Sequence, residues 1–168
     1  LSMVDAVLLL VDAVDGPMPQ TRFVTQKAFS YGLTPIVVVN KIDRDGSDPY
    51  RVIDEVFDLF DSLGGSDEQL DFSTVYASAI NGVAGLELDA IGDDMTPLLD
   101  MIVDQVPPPE VDASGAFQMQ ISSLDYSTYE GVIGIGRITR GQVARNQQII
   151  VVVDRDGNER KAKVANLY

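Results

Sequence analysis

The 168-residue chain is 45% hydrophobic, enough for a packed core in one domain or two small ones. It contains no cysteine, which excludes a disulfide framework and a thiolate metal site. Its net charge of −14 argues against broad wrapping of nucleic acid, whose phosphates draw Lys and Arg, and no direct DNA binding is expected.

In chain order, the unbroken apolar run Ala6–Val11 predicts a strand buried on both faces. Gln20 to Tyr31 reads as a helix, with Phe23, Val24, Lys27, Ala28 and Tyr31 at helical spacing and Gly32 as its stop. Pro35–Val39 is the next buried strand. Tyr50 to Leu63 predicts a second helix. Val52, Val56, Phe60 and Leu63 form its inner stripe, Asp54, Glu55, Asp58 and Asp61 its solvated face, and Gly64-Gly65 its end. Thr74–Ala77 is a third strand, followed by a Gly- and Asp-rich loop from Asn81 to Asp94. Thr96 then serves as N-cap and Pro97 as first residue of a helix that buries Leu98, Leu99, Ile102, Val103 and Val106. Pro107-Pro108-Pro109 ends that helix and stiffens the connection.

From Ala116 the hydrophobic period becomes two, Phe117, Met119 and Ile121 alternating with Gln118, Gln120 and Ser122. Gly131–Arg137, Gln148–Val153 and Arg160–Val164 supply further strands, with Asp156-Gly157 as a hairpin turn. The glycines of Gly131-Val132-Ile133-Gly134-Ile135-Gly136 suit curvature or close backbone approach. Residues 1–107 and 116–168 thus form two parts joined by a linker over 108–115.

The chemistry concentrates where Pro35–Val39 ends. Asn40-Lys41-Ile42-Asp43 places an amide, a cation and a carboxylate in one short turn. A carboxylate offers two acceptors to the adjacent N1–H and N2–H donors of guanine, a pair that adenine lacks. A charged group left unmatched costs about 1–3 kcal/mol or more, enough for base selectivity. Asp43 takes that role, the Lys41 stem lies along a base face with its ammonium in water, and Asn40 ties the turn to neighbouring backbone. Thr74–Ala77 runs into Ser78-Ala79-Ile80, where the N–H of a small residue can meet the O6 acceptor. Ser78 and Ala79 would close over the base, with Ile80 packed behind. Both loops lie at strand carboxyl ends, where open α/β sheets bind ligands.

Asn40-Lys41-Ile42-Asp43 and Ser78-Ala79-Ile80 resemble the base-recognition pair of P-loop GTPases. Val11-Asp12-Ala13-Val14-Asp15-Gly16, followed by Pro19-Gln20-Thr21-Arg22, resembles the matching segment of translational, elongation-factor-like GTPases. Gly16 to Val24, Asp67-Glu68-Gln69-Leu70-Asp71-Phe72, Asp93 to Leu98 and Phe117-Gln118-Met119-Gln120-Ile121-Ser122 are similar to the BipA/TypA family of ribosome-associated GTPases, and the likeness runs from Leu1 to Tyr168. The resemblance implies an α/β fold: the C-terminal half of a P-loop GTPase domain, a parallel sheet with flanking helices, followed by part of an all-β barrel of the kind found as the second domain of translation factors. It also implies GTP or GDP as ligand, Mg2+ in the full-length parent, hydrolysis of GTP to GDP and phosphate, and the ribosome as partner.

The phosphate-binding string G-x-x-x-x-G-K-S/T is missing, as are a first-switch Thr and an Asp-x-x-Gly motif with its His, for the chain has no histidine. The expectation is therefore a fragment with no GTPase activity of its own, its catalytic and magnesium-binding residues lying outside this chain, and an open apolar edge at Ala6–Val11. The positive residues Arg137, Arg140, Arg145, Arg155, Arg160, Lys161 and Lys163 gather late and read as a solvated barrel surface. No apolar stretch approaches the roughly 18 residues of a membrane span, and the start lacks the basic flank and apolar core of a signal peptide, so a cytoplasmic location off the membrane is expected.

Three rival readings carry less. The acidic loops Asp43–Asp48 and Asp154–Glu159 lack the spacing of an EF-hand calcium loop. A receiver-like domain would gather Asp12 and Asp15 on magnesium or phosphate, whereas turn formation is the simpler role for Asp12. A non-catalytic ribosome- or protein-binding module is the third. Preference for guanine nucleotides separates the GTPase reading from all three.

Overall fold

The computed structural model describes residues 3–152 and 156–168. Leu1, the expected strand end at Val153 and the Asp154-Arg155 pair lie outside them. The chain forms two compact units, one up to Pro109 and one from Glu110 to Tyr168.

The first unit is a sheet flanked by helices. Its strands β1 (Val7–Asp12), β2 (Pro35–Asn40), β3 (Thr74–Ser78) and β4 (Val83–Gly85) stand in that order, the first three parallel and β4 antiparallel to β3. Helix α1 (Pro19–Ser30) lies between β1 and β2, α2 (Pro49–Ser62) and the short α3 (Asp67–Leu70) between β2 and β3, and α4 (Thr96–Gln105) follows β4. On one face Leu9, Val11, Val37, Val39 and Tyr76 pack with Val52, Val56 and Phe60 of α2. Phe60 anchors that layer, meeting Phe29 and Phe72 edge-on with ring centroids 5.1 and 4.9 Å apart. On the other face Ile36, Val38, Val75, Ala77 and Ala84 pack with Leu98 of α4.

Helix α2 follows its sequence pattern closely. Asp48 Oδ1 accepts the Arg51 N–H at its start, Pro49 occupies the first turn, and Gly64 at φ +73° lies just past its end. Val52, Val56 and Phe60 are fully buried, while Leu63 at the cap is half-buried.

Other expectations need correction. In α1 the buried residues are Thr25 and Ala28, and Phe29 packs against the core, whereas Phe23, Val24, Lys27 and Tyr31 are exposed. Small side chains set this helix's approach to the sheet. In α4 Leu98 is buried and Ile102 and Val106 pack beside it, but Leu99 is 57% and Val103 78% exposed. The helix starts one residue early, with Met95 at the N-cap position and the Thr96 N–H bonded to Asp94 Oδ1 at 2.8 Å. Strand β1 is buried on one face only: Leu9 and Val11 face the α2 layer, and Leu8 and Leu10 are exposed because the α4 layer does not reach them. It is the sheet edge. The loop expected from Asn81 to Asp94 contains β4.

The second unit consists of two antiparallel ladders. Strand β5 (Gln118–Ser127) pairs with β6 (Gly131–Arg140), and β7 (Gln148–Val152) with β8 (Glu159–Lys163). The β5–β6 ladder shifts register between Gln118 and Met119 and again between Ile121 and Ser123, the second shift opposite Gly136 and Ile135. A Cβ on Gly136 would overlap the Gln120 carbonyl, so this glycine answers the close approach of two backbones. Gly157 has φ +80° between β7 and β8. Of the basic residues, Arg140 lies 3.8 Å from Asp112 Oδ2 and Arg145 donates to the Ala165 carbonyl at 2.9 Å. Arg160, Lys161 and Lys163 are exposed, and Arg155 is outside the described residues.

Candidate functional site

Register aligns the site. Asp12 is the ladder partner of Asn40, and Asn40 of Ala77, so the carboxyl ends of three parallel strands finish side by side. The ends of strands buried in a sheet are stiff supports for the loops that follow.

Asn40 joins two of those loops. Its Oδ1 accepts the N–H of Lys41 at 2.8 Å and the N–H of Ala79 at 3.0 Å. Lys41 adopts φ +65°, a left-handed conformation uncommon for a side-chain-bearing residue and one that persists where surrounding contacts hold it. The turn is fixed further by the Ile42 N–H bonding the Ala77 carbonyl at 3.3 Å and by Ser47 Oγ bonding the Ile42 carbonyl at 3.0 Å. Ile42 itself packs on the α2-side core.

Asp43 is reached from the neighbouring loop. The buried Ser78 hydroxyl donates to Asp43 Oδ1 at 2.5 Å and accepts from Asn81 Nδ2 at 2.9 Å. Asn40, Lys41, Asp43, Ser78 and Ala79 are thereby brought into one network. Ile80 is not: it is 86% exposed and does not pack behind its neighbours. Of the small residues at this strand end, Ala79 already gives its N–H to Asn40, so a contact from it to O6 requires that bond to be shared or released.

The sequence assigns Asp12 a turn-forming role and does not place it in the site. Its Oδ1 accepts the Val14 N–H at 2.8 Å and the Asp15 N–H at 3.4 Å, making the expected turn. Its Oδ2 also receives Lys41 Nζ at 2.7 Å and Arg44 Nη1 at 3.2 Å. The Lys41 hydrogen bond, then the Val14 N–H, hold the Asp12 carboxyl down at about 2, against an ordinary value of 3.8. Lys41 is therefore ion-paired rather than simply solvated. A signal was present in the sequence, since Asp12 closes an apolar run just as Asn40 does. Beside the pair a cleft of about 380 Å3 opens, lined by Leu10, Asp12, Gly16, Met18, Asn40 and Lys41.

The carboxylates of the Asp43–Asp48 loop do separate jobs. Asp43 meets Ser78, while Asp48 caps α2. Among the described residues no three Asp, Glu, His or Cys side chains stand together as a metal site.

A parallel sheet carrying Asn-Lys-x-Asp and Ser-Ala loops at its carboxyl edge is the architecture of a GTP-binding domain. The elongation factor Tu GTP binding domain family matches residues 1–108, and the chain belongs to that family. Within it the resemblance to the BipA/TypA branch holds. The chain is 63% identical over 167 residues to the large ribosomal subunit assembly factor BipA of Escherichia coli strain K12, covering 99% of this chain and 27% of that protein. The BipA of Haemophilus influenzae is 60% identical with the same coverage. The chain thus spans about 27% of the length of these curated relatives. Among solved structures, apo translation elongation factor SelB from Methanococcus maripaludis matches with a TM-score of 0.67 at 20% identity, over 96% of this chain and 35% of that one, a likeness of fold alone.

Proposed function

We propose that this chain supplies the guanine-reading part of the nucleotide site of a ribosome-associated translational GTPase. The observation that carries the reading is the joining of the two loops: Asn40 bridges Lys41 to Ala79, and Ser78 holds Asp43. On this reading Asp43 accepts N1–H and N2–H of guanine, Lys41 lies along the base, and Ser78 and Ala79 close the pocket. Ile80 lies at its exposed margin. Residues 1–107 are the C-terminal part of the GTP-binding domain, 108–115 a linker, and 116–168 part of a barrel domain.

Phosphate and magnesium binding do not fit the residues present. The phosphate-loop string is missing and no acidic cluster offers magnesium ligands among the described residues. In the full-length protein those elements, with GTP hydrolysis itself, belong to other segments, and this chain alone is inactive. The names of the relatives support a role in assembly of the large ribosomal subunit, in the cytoplasm, while the net charge of −14 speaks against direct DNA contact. No helix among the described residues is long and apolar enough to cross a membrane. A purely structural ribosome- or protein-binding module is disfavoured by the Asp43 arrangement, which such a module does not need.

The test is Asp43→Asn in the full-length protein. An amide offers a donor where guanine also offers donors, so preference for GDP over ADP falls. Affinity for xanthosine diphosphate, whose C2 carbonyl accepts, rises. A competition assay that finds guanine selectivity unchanged refutes the assignment.

A further inference from the structure

We infer that Asn81 is a positioning residue for base recognition, acting on Asp43 through the Ser78 hydroxyl; the inference rests on the guanine-reading role of Asp43 given above.

Chemistry fixes the direction of the chain of hydrogen bonds. An ionised carboxylate only accepts, so the single Ser78 proton goes to Asp43 Oδ1. With that proton committed, Ser78 Oγ has only lone pairs to offer Asn81, and the Asn81 amide must present Nδ2–H to it. The order is Asn81 Nδ2–H to Ser78 Oγ–H to Asp43 Oδ1. Each bond polarises the next, and the far end of the relay is the carboxylate that meets the base. The Asn81 donor thereby holds the Ser78 hydroxyl in this rotation.

The backbone is built around the same contact. The Asn81 N–H bonds the Ser78 carbonyl at 3.2 Å, and Ser78 pairs with Val83 across the β3–β4 hairpin. Gly82 has φ +69° with open space where a Cβ would stand, so its backbone conformation alone calls for glycine there. The three-residue strand β4 therefore closes a loop whose corner delivers the Asn81 amide to Ser78.

The consequence concerns the 2-amino group of guanine. Asp43 must present two acceptors at a fixed angle to hold N1–H and N2–H together; a carboxylate free to turn keeps its charge but loses the second contact. Hypoxanthine has N1–H and O6 but no 2-amino group, so it reports the loss. Calorimetric titration of the full-length protein with GDP and with IDP gives the ratio of their affinities. In Asn81→Ala that ratio falls about fivefold, the worth of one hydrogen bond, with IDP affinity near that of the unaltered protein. In Asn81→Asp, which cannot donate and competes for the Ser78 proton, it falls further. An unchanged ratio in both variants overturns the inference, and so does equal weakening of GDP and IDP, the mark of a merely structural role. If the unaltered protein does not prefer GDP to IDP, the role of Asp43 itself fails. The thermal midpoint of each variant, expected to hold because Asn81 is exposed, guards against misfolding as the cause.

Discussion

Lys41 Nζ and Asp12 Oδ2 meet at 2.7 Å across the ends of neighbouring strands, though 29 residues separate them in sequence. The Asp12 side chain is only 13% exposed, while its two cationic partners are about half exposed. The pair therefore ties the Asn40–Asp43 turn to β1 and leaves the lysine side chain about half exposed.

That geometry gives a pH dependence with a definite sign. The folded-state value of Asp12, about 2, lies below the ordinary 3.8, so the folded state favours the charged form. Its contribution to stability is complete above about pH 4 and disappears as the pH falls through about 2. Urea unfolding of the chain and of Asp12→Asn, compared across that window, should show the stability gap closing as acid is added. A gap that stays constant to pH 2 contradicts the pairing.

Thr25 offers a test in the opposite direction. It is fully buried in α1 and its hydroxyl has no hydrogen-bond partner among the described residues. An unmet buried hydroxyl costs about 1–3 kcal/mol, whereas a methyl in its place matches the apolar surroundings. Thr25→Val is therefore expected to raise the midpoint of thermal unfolding. A lowered midpoint means that the hydroxyl is satisfied in solution.

Gly136→Ala is expected to disrupt the β5–β6 ladder. The added methyl would run into the Gln120 carbonyl, a backbone group that cannot swing aside as the end of a side chain could. Cross-strand amide signals between the ladder partners Ile121 and Gly136 are the readout. Loss of those signals, with the first unit unchanged, is the expected outcome.

Much of the framework was legible because the sequence met its environment without ambiguity. Pro35–Val39 is apolar throughout and is buried throughout, since it lies between β1 and β3 with helices over both faces. In α2 Val52, Val56 and Phe60 recur at helical spacing and are buried. In α1 and β1 the departures share one origin, because hydrophobicity does not by itself mean burial. Helix α1 turns Thr25 and Ala28 inward because small side chains allow it to sit close, so Phe23 and Val24 face outward. Leu8 and Leu10 belong to an edge strand whose second face has no covering layer, which an apolar run cannot announce. Strand β4 is three residues long, too short to leave a periodic signal, and its existence follows from pairing with β3. At the site, the turn chemistry of Asn40 was readable locally. The Asp12–Lys41 pair was not, because it depends on the register between two strands.

That register has a last implication. Asp12, Asn40 and Ala77 share one row of the sheet, and in a strand each single-residue slip turns a side chain to the opposite face. A misaligned β2 would direct the Asn40 amide away from Ala79 while leaving a β-rich, compact and outwardly well-folded molecule. On the reading proposed above, purine selectivity therefore reports the true alignment, separating it from near-native impostors which circular dichroism would score alike.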